Sequence, residues 1–186
     1  MILTHETAIG LLHKYVKNDK MIYHCLASEA VMRALAVRLG EDEDKWGLAG
    51  LLHDLDVEIT NADPQVHGSQ TEALLKDYEV DADILDSIRM HNEVSTGKER
   101  TTKFQHALAA GETITGLIFA TTYVYPDRKF TSVKSKSVVK RMKEKMFAAS
   151  VKRENILECE KIGIPIEEFA SLSIQALVPI AESIGF

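Results

Sequence analysis

Apolar residues recur every three to four positions along nearly the whole chain, the period of an amphipathic helix, and no two-residue alternation persists long enough to make a strand. Ile9, Leu12 and Val16 form one stripe and Thr4 stands where an N-cap belongs, so a helix is predicted from Thr4 to about Lys17. A second runs from about Met21 to Leu39 and stops at Gly40. EDEDKWGLAGLLHDLD is a third, with acids in its first turn where the helix dipole favours them. Asp63 and Pro64 open a fourth, through about Asp77, and DADILDSIRMHN is a fifth. From about Thr102 to Tyr125 lies a sixth, ended by Pro126; its AAGETITGLIFATTYV is hydrophobic almost all round, as the central helix of a bundle is. Two or three more follow, the last from Pro165 to Ile184. The fold class is all-α, without internal repeat or low-complexity linker.

With 186 residues, 45% of them hydrophobic, the chain can bury one sizeable core, and a single all-helical domain over residues 1–186 is expected. Cys25 and Cys159 are too few and too far apart for a disulfide framework or a cysteine-built zinc site, which fits a reduced, cytoplasmic setting. The N-terminus lacks a basic region followed by an apolar stretch, and no run approaches the roughly 20 apolar residues of a membrane span, so a soluble protein with no membrane partner is expected.

Charge changes the picture in one place. The net charge is −6, yet between Arg128 and Arg153 ten Lys and Arg face a single acid, Glu144. Two readings stand. SVKSKSVVKRMKEKM is an amphipathic helix with Val138, Val139, Met142 and Met146 inward and Lys136, Lys140 and Lys143 in solvent, or the segment receives an anion. The acidic remainder of the chain argues against nucleic acid as the partner.

Polar residues interrupt the apolar faces at regular intervals. His24 lies early in the second predicted helix, His53 and Asp54 end the third, His67 falls in the first turn of the fourth, His91 ends the fifth, and Glu112 lies inside the sixth. Taken singly, each has a bland explanation as a surface, dipole-facing or helix-start residue. The adjacent His53 and Asp54 differ, because an Asp at a helix C-terminus opposes the dipole and needs a positive partner. A bundle can bring these positions to one point, and imidazole with carboxylate is what a divalent metal binds where thiolates are absent. His5, His13 and His106 have no comparable setting and read as surface or core-edge residues.

YHCLASEAVMRALA, then AGLLHDLD, VHGSQTEALL and ILDSIRMHN, resembles the HD-domain superfamily of metal-dependent phosphohydrolases over about residues 20–126, with a C-terminal helical extension over about 127–186. The pattern also resembles the HDIG subgroup and, more distantly, bacterial symmetrical diadenosine tetraphosphate hydrolases; from YPDRKF onward it resembles small bacterial HD proteins of unassigned substrate. The resemblance implies His24, His53, Asp54 and Glu112 as metal ligands, with His67 and His91 added where two ions bind. It implies one or two divalent ions, drawn from Fe, Mn, Zn, Ni, Co or Mg, as cofactors.

One departure stands out. The family's last ligand is an Asp, and here AAGETITG carries Glu112 in its place. Glutamate reaches about 1.5 Å further, a large offset against metal–oxygen bonds of about 2.0–2.2 Å; the small Ala110 and Gly111 beside it are expected to give it room. The reaction expected is cleavage of a phosphate ester or anhydride of a nucleotide or similar small molecule by a metal-activated water, with Asp54 as the catalytic carboxylate. Arg128 and Lys129, past the end of the sixth predicted helix, are the expected phosphate contacts, with Arg89 and Lys103 as weaker candidates. The alternative is a catalytically silent HD module that binds a nucleotide or a partner.

Overall fold

Thr4 accepts a hydrogen bond from the Thr7 amide at 3.2 Å and opens α1 (His5–Tyr15). Asn18 caps α2 (Asp19–Leu39), which ends at Gly40, and Asp42 caps α3 (Glu43–Leu52) by accepting from the Lys45 amide at 2.9 Å. Thr4 is the expected cap, and α2 and α3 start within two residues of the expected positions, each at a side-chain oxygen that satisfies an amide no helix bond reaches. A computed structural model describes all 186 residues, as ten α-helices and four short 3₁₀ turns with no strand. The two extended residues Ile2 and Glu79 make only an isolated bridge.

α7 (Lys103–Tyr123) is the axis of the molecule. Thr102 and Gln105 close a capping box at its start, and its buried residues include Leu108, Ile114, Leu117 and Ile118, from several sides of the helix. It packs against α2, α3 and α5 (Ala82–His91), and against α8 (Ser135–Met142), α9 (Arg153–Ile156) and α10 (Ile166–Leu177). Trp46 of α3 stacks on Phe104 at its first turn, with ring centroids 5.0 Å apart. One contiguous core runs from Leu3 to Ile184 and takes in Leu12, Met32, Leu35, Leu52, Phe130 and Phe169. Each such side chain stabilises the fold by about 1.5–3 kcal/mol when fully buried.

Two close approaches fix the geometry of the site. A Cβ on Gly50 would lie 2.6 Å from the Ser28 carbonyl oxygen, so α3 presses directly on the backbone of α2. His53 follows one turn after Gly50, and His24 precedes Ser28 by one turn. The second approach is at Gly68, with φ of +85°, where a Cβ would meet the His91 ring at 2.9 Å. Only glycine fits there on both counts.

Three predicted elements differ from those observed. The fourth helix, expected over 63–77, is a chain of turns followed by α4 (Thr71–Leu74) alone. Asn61 and Ala62 adopt positive φ, and the Asp56 carboxylate takes the amides of Gly68 and Gln70. The last helix stops at Leu177 and continues as two 3₁₀ turns, since Pro179 has no amide to continue the ladder. The basic helix ends at Met142: Val138 is buried, Val139 and Met142 are half-buried, and Lys136, Lys140 and Lys143 face solvent, but Met146, expected inward, is 90% exposed. No helix is long and apolar enough to cross a membrane, and Cys25 and Cys159 are free and buried.

Candidate metal centre

Six side chains expected from the sequence meet at one place. His24 comes from α2, His53 and Asp54 from the end of α3, His67 from the turn before α4, His91 from the last position of α5, and Glu112 from the middle of α7. They fall into two adjoining triads, His24 with His53 and Glu112, and Asp54 with His67 and His91, each with donor atoms within 4.8 Å of one another. Asp54 lies between them. Its Oδ1 is 2.9 Å from His67 Nε2, 3.4 Å from His53 Nε2 and 3.5 Å from His91 Nε2, and its Oδ2 is 3.5 Å from His24 Nε2. Glu112 Oε2 reaches to 3.7 Å from His24 Nε2, so the longer carboxylate arrives at the same point.

Hydrogen bonds outside the cluster decide which ring nitrogens are free. His53 Nδ1 donates to the Gly50 carbonyl at 2.8 Å, and His91 Nδ1 to the Ile88 carbonyl. His67 Nδ1 donates to Asp56 Oδ1 at 2.9 Å. His24 Nδ1 lies 2.9 Å from Thr115 Oγ1, and that hydroxyl gives its own proton to the Glu112 carbonyl at 2.6 Å, so His24 is the donor. All four imidazoles therefore carry a hydrogen on Nδ1 and turn Nε2 inward. The His24 and His53 Nε2 atoms are 3.1 Å apart, as are those of His67 and His91. Two lone pairs at that distance repel unless a proton or a metal ion lies between or beside them. A divalent ion is the cation these donors fit, held by neutral nitrogens and carboxylate oxygens alone.

The charges agree. Burial pushes the His53 imidazole down to about 3, against the pull of Asp54, so the ring is neutral and its Nε2 is available. Burial alone would raise Asp54, but the surrounding imidazoles, His53 and His67 foremost, hold its carboxyl well below the usual carboxylate range. Burial also opposes charge on His67, yet hydrogen bonds to Asp54 and Asp56 outweigh it and hold that ring up at about 10. Without an ion, a proton on His67 is the positive charge that Asp54 gathers; a metal would displace it. Glu112 is raised by burial, with His24 and His91 pulling the other way.

Asp54, His67, His91, His24 and Glu112 open onto a cleft of about 330 Å³, while His53 is packed behind them with a side chain only 1% exposed. The cleft is otherwise lined by the turn around Ala62 and Pro64, by Asn92, and by a C-terminal segment carrying Ser150, Lys152 and Asn155. Arg128 and Lys129, expected as phosphate contacts, are exposed and absent from this lining, and Lys129 borders a separate hollow beside Phe130 and Phe186. The 3₁₀ turn Phe130–Ser132 that follows α7 packs against α10. Arg89 pairs with Asp86 and Lys103 with Glu41 on the outer surface. Gly111 gives Glu112 no room: its open side faces Met32 and Leu35, where it lets α7 pack on α2.

Sequence reasoning missed Asp56, Thr115 and Arg100. Asp56 is fully buried and accepts from His67 Nδ1, Gly68 N and Gln70 N, which pull its carboxyl down against the cost of burial. The second acid of LLHDLD was the signal, since a carboxylate in an apolar run must have donors. Arg100, its side chain 1% exposed, donates to the Met90 and His91 carbonyls and binds Glu158 with Nε at 2.8 Å and Nη2 at 2.9 Å. His106, read as a surface or core-edge residue, donates to the same Glu158 carboxylate at 2.8 Å. Thus the helix end that presents His91 is clamped to the C-terminal segment.

Comparison with curated proteins and with solved structures gives no match. The family model described as HD domain matches residues 21–123, more than half of the chain, and all six clustered side chains fall inside that span. On that match the chain belongs to the HD domain family, whose members bind divalent metals and are generally hydrolases, and its cluster of histidines and carboxylates is compatible with such a metal.

Proposed function

We propose that this protein is a metal-dependent phosphohydrolase that cleaves a phosphate ester or anhydride of a nucleotide or similar small molecule. The observation that carries the reading is the convergence of four inward Nε2 atoms on the Asp54 carboxylate at the floor of an open cleft. His24, His53 and Glu112 would hold one divalent ion, and Asp54, His67 and His91 a second. Ions so bound supply Lewis acidity, lowering the pKa of a water and offsetting charge on phosphoryl oxygens.

The chain's own residues do the rest. Asp54 spans the two triads and sets their separation. Thr115, Asp56 and the carbonyls of Gly50 and Ile88 fix the tautomer and plane of each imidazole, so the ligands need no reorganisation when the substrate arrives. The cleft admits a small phosphorylated molecule, and its floor is polar.

The test is elemental analysis of protein purified without chelators, paired with a phosphate-release screen over nucleotides and dinucleoside polyphosphates. Wild type should carry divalent metal and release phosphate from at least one class. Asp54→Ala should lose both, because it removes the residue common to the two triads. Full turnover by Asp54→Ala would overturn the reading.

A further inference from the structure

All six clustered ligands lie within residues 21–123, but part of the cleft wall comes from outside that span, and it has a different character. Most polar groups of the wall are already committed. The Asn92 amide donates to the Pro64 and His67 carbonyls at 2.8 and 2.9 Å, and its oxygen accepts from the Val94 amide. Asn155 accepts from Arg100 at 3.0 Å and lies 3.4 Å from Thr113 Oγ1, and Thr113 in turn donates to Glu112. Two side chains remain without a protein partner, Ser150 and Lys152. Lys152 is the one lysine or arginine in the lining.

The segment that carries them is held in shape. Arg153 turns its guanidinium away from the cleft and into its own loop, where Nη1 donates to the Ala148 and Val151 carbonyls at 2.7 Å each. Nη2 donates to the carbonyls of Glu144 at 3.3 Å and Arg141 at 3.4 Å, and to that of Phe147. Ala148 takes a positive φ of 45° within this turn. A guanidinium offers five donors in a rigid fork, so one residue gathers the carbonyls of the loop. On the other side, Asn155 is tied to Arg100 and through it to the end of α5. Lys152 therefore stands at the cleft on a backbone fixed from both sides.

Resting on the hydrolase reading, we infer that Lys152, assisted by Ser150, is the anion-binding subsite of this cleft, positioning a phosphate oxygen of the substrate that does not react. Lys152 is exposed at the rim of this open, polar cleft and pairs with no acid, so its ammonium is a free point charge for a phosphate. Apart from the histidines no aromatic ring lines the cleft, so nothing there is arranged to stack on a base. Selection falls on the charged end of the substrate. Lys152 is a positioning residue, and binding is where its loss should show.

The experiment measures binding of inorganic phosphate by calorimetry to the metal-loaded full chain, alongside metal content, in wild type, Lys152→Ala, Lys152→Arg and Lys145→Ala. Lys145 belongs to the same basic stretch but does not line the cleft. Lys152→Ala should weaken phosphate binding about ten- to hundredfold, the loss of one charge-assisted contact, with metal content unchanged. Lys152→Arg should recover most of it, and Lys145→Ala should match wild type. Where a substrate is turned over, Lys152→Ala should raise KM with little change in kcat. Equal phosphate affinity in wild type and Lys152→Ala overturns the inference, as does a parallel loss of metal. Lys152-dependent phosphate binding without turnover of any ester would sink the hydrolase reading and leave this one standing. Turnover with a KM indifferent to Lys152 would do the reverse.

Discussion

Asp56 Oδ1 accepts the Nδ1 hydrogen of His67 at 2.9 Å, so a carboxylate that touches no ligand atom of the centre governs one of its four imidazoles. The same carboxylate accepts from the Gly68 and Gln70 amides, at 2.9 Å each from Oδ2, and so shapes the turn on which His67 is presented. Orientation of the ring and folding of the turn are one interaction.

Asp56→Asn keeps the size of the side chain but removes its charge and sets an amide where it must face backbone donors. Metal affinity should fall about ten- to hundredfold although all six ligands remain. Titration of metal-free protein with Mn²⁺ or Zn²⁺ reads this directly. An affinity equal to wild type would mean that the turn holds His67 without Asp56.

Glu112→Asp restores the residue that the family resemblance leads one to expect, and the geometry argues that it should harm. Glu112 Oε2 already approaches His24 Nε2 to 3.7 Å from a helix fixed by its packing on α2. Shortening the side chain withdraws the oxygen by about 1.5 Å, a shift large enough to cost roughly a hundredfold in rate. Lower metal stoichiometry and slower turnover are expected. Awakening of an inactive wild type by this change would instead support the silent-module reading.

Most of the fold was legible because helix starts and stops are local: Thr4, Asn18, Asp42 and Thr102 cap their own helices through oxygens two or three residues from the amides they satisfy. The clustering of six side chains was legible because His24, His53, Asp54, His67, His91 and Glu112 interrupt the apolar faces of successive helices in the order that the family resemblance implies. What escaped depends on contacts between distant segments. The turns over 53–70 are dictated by Asp56 reaching amides 12 and 14 residues on. Lys152 enters the cleft through the Arg100 and Arg153 bonds, which join stretches no periodicity links. Arg128 stands nearer to Glu112 in sequence than Lys152 does, yet it lies past the end of α7 and outside the cleft lining.

Glu158 links stability to acid. Burial opposes its charge, but Arg100 and His106 more than offset this and hold its carboxyl below the usual carboxylate range. A depressed folded pKa contributes stability that is present above the unfolded value, about 4.3, and is lost as pH falls through the folded one. Glu158→Gln should therefore destabilise the protein at pH 7, by about 1–3 kcal/mol, since Arg100 keeps its pair with Glu93 and its carbonyl contacts but loses its charge-assisted bonds to Glu158. The gap to wild type should narrow as pH falls below about 4. Urea denaturation at several pH values measures it, and a pH-independent gap would assign the loss to packing instead of charge.

Gly50 and Gly10 separate the fold from the site. Both lie in helices, where alanine is favoured over glycine by about 0.5–1 kcal/mol. Nothing stands within 4 Å of a Cβ at Gly10, so Gly10→Ala should stabilise by about that amount and leave metal binding untouched. At Gly50 the added carbon would lie 2.6 Å from the Ser28 carbonyl oxygen, and backbone cannot rotate aside as a side chain can. α3 must then move off α2, at a cost of about 1–3 kcal/mol that exceeds the propensity gain. The same movement separates His53 from His24, so Gly50→Ala should lower both the melting temperature and the metal affinity. Thermal denaturation and metal titration of the two variants side by side distinguish the cases. If Gly50→Ala lost stability but kept full metal affinity, the contact between α2 and α3 would be structural only, and the 3.1 Å approach of the two imidazoles would be set elsewhere.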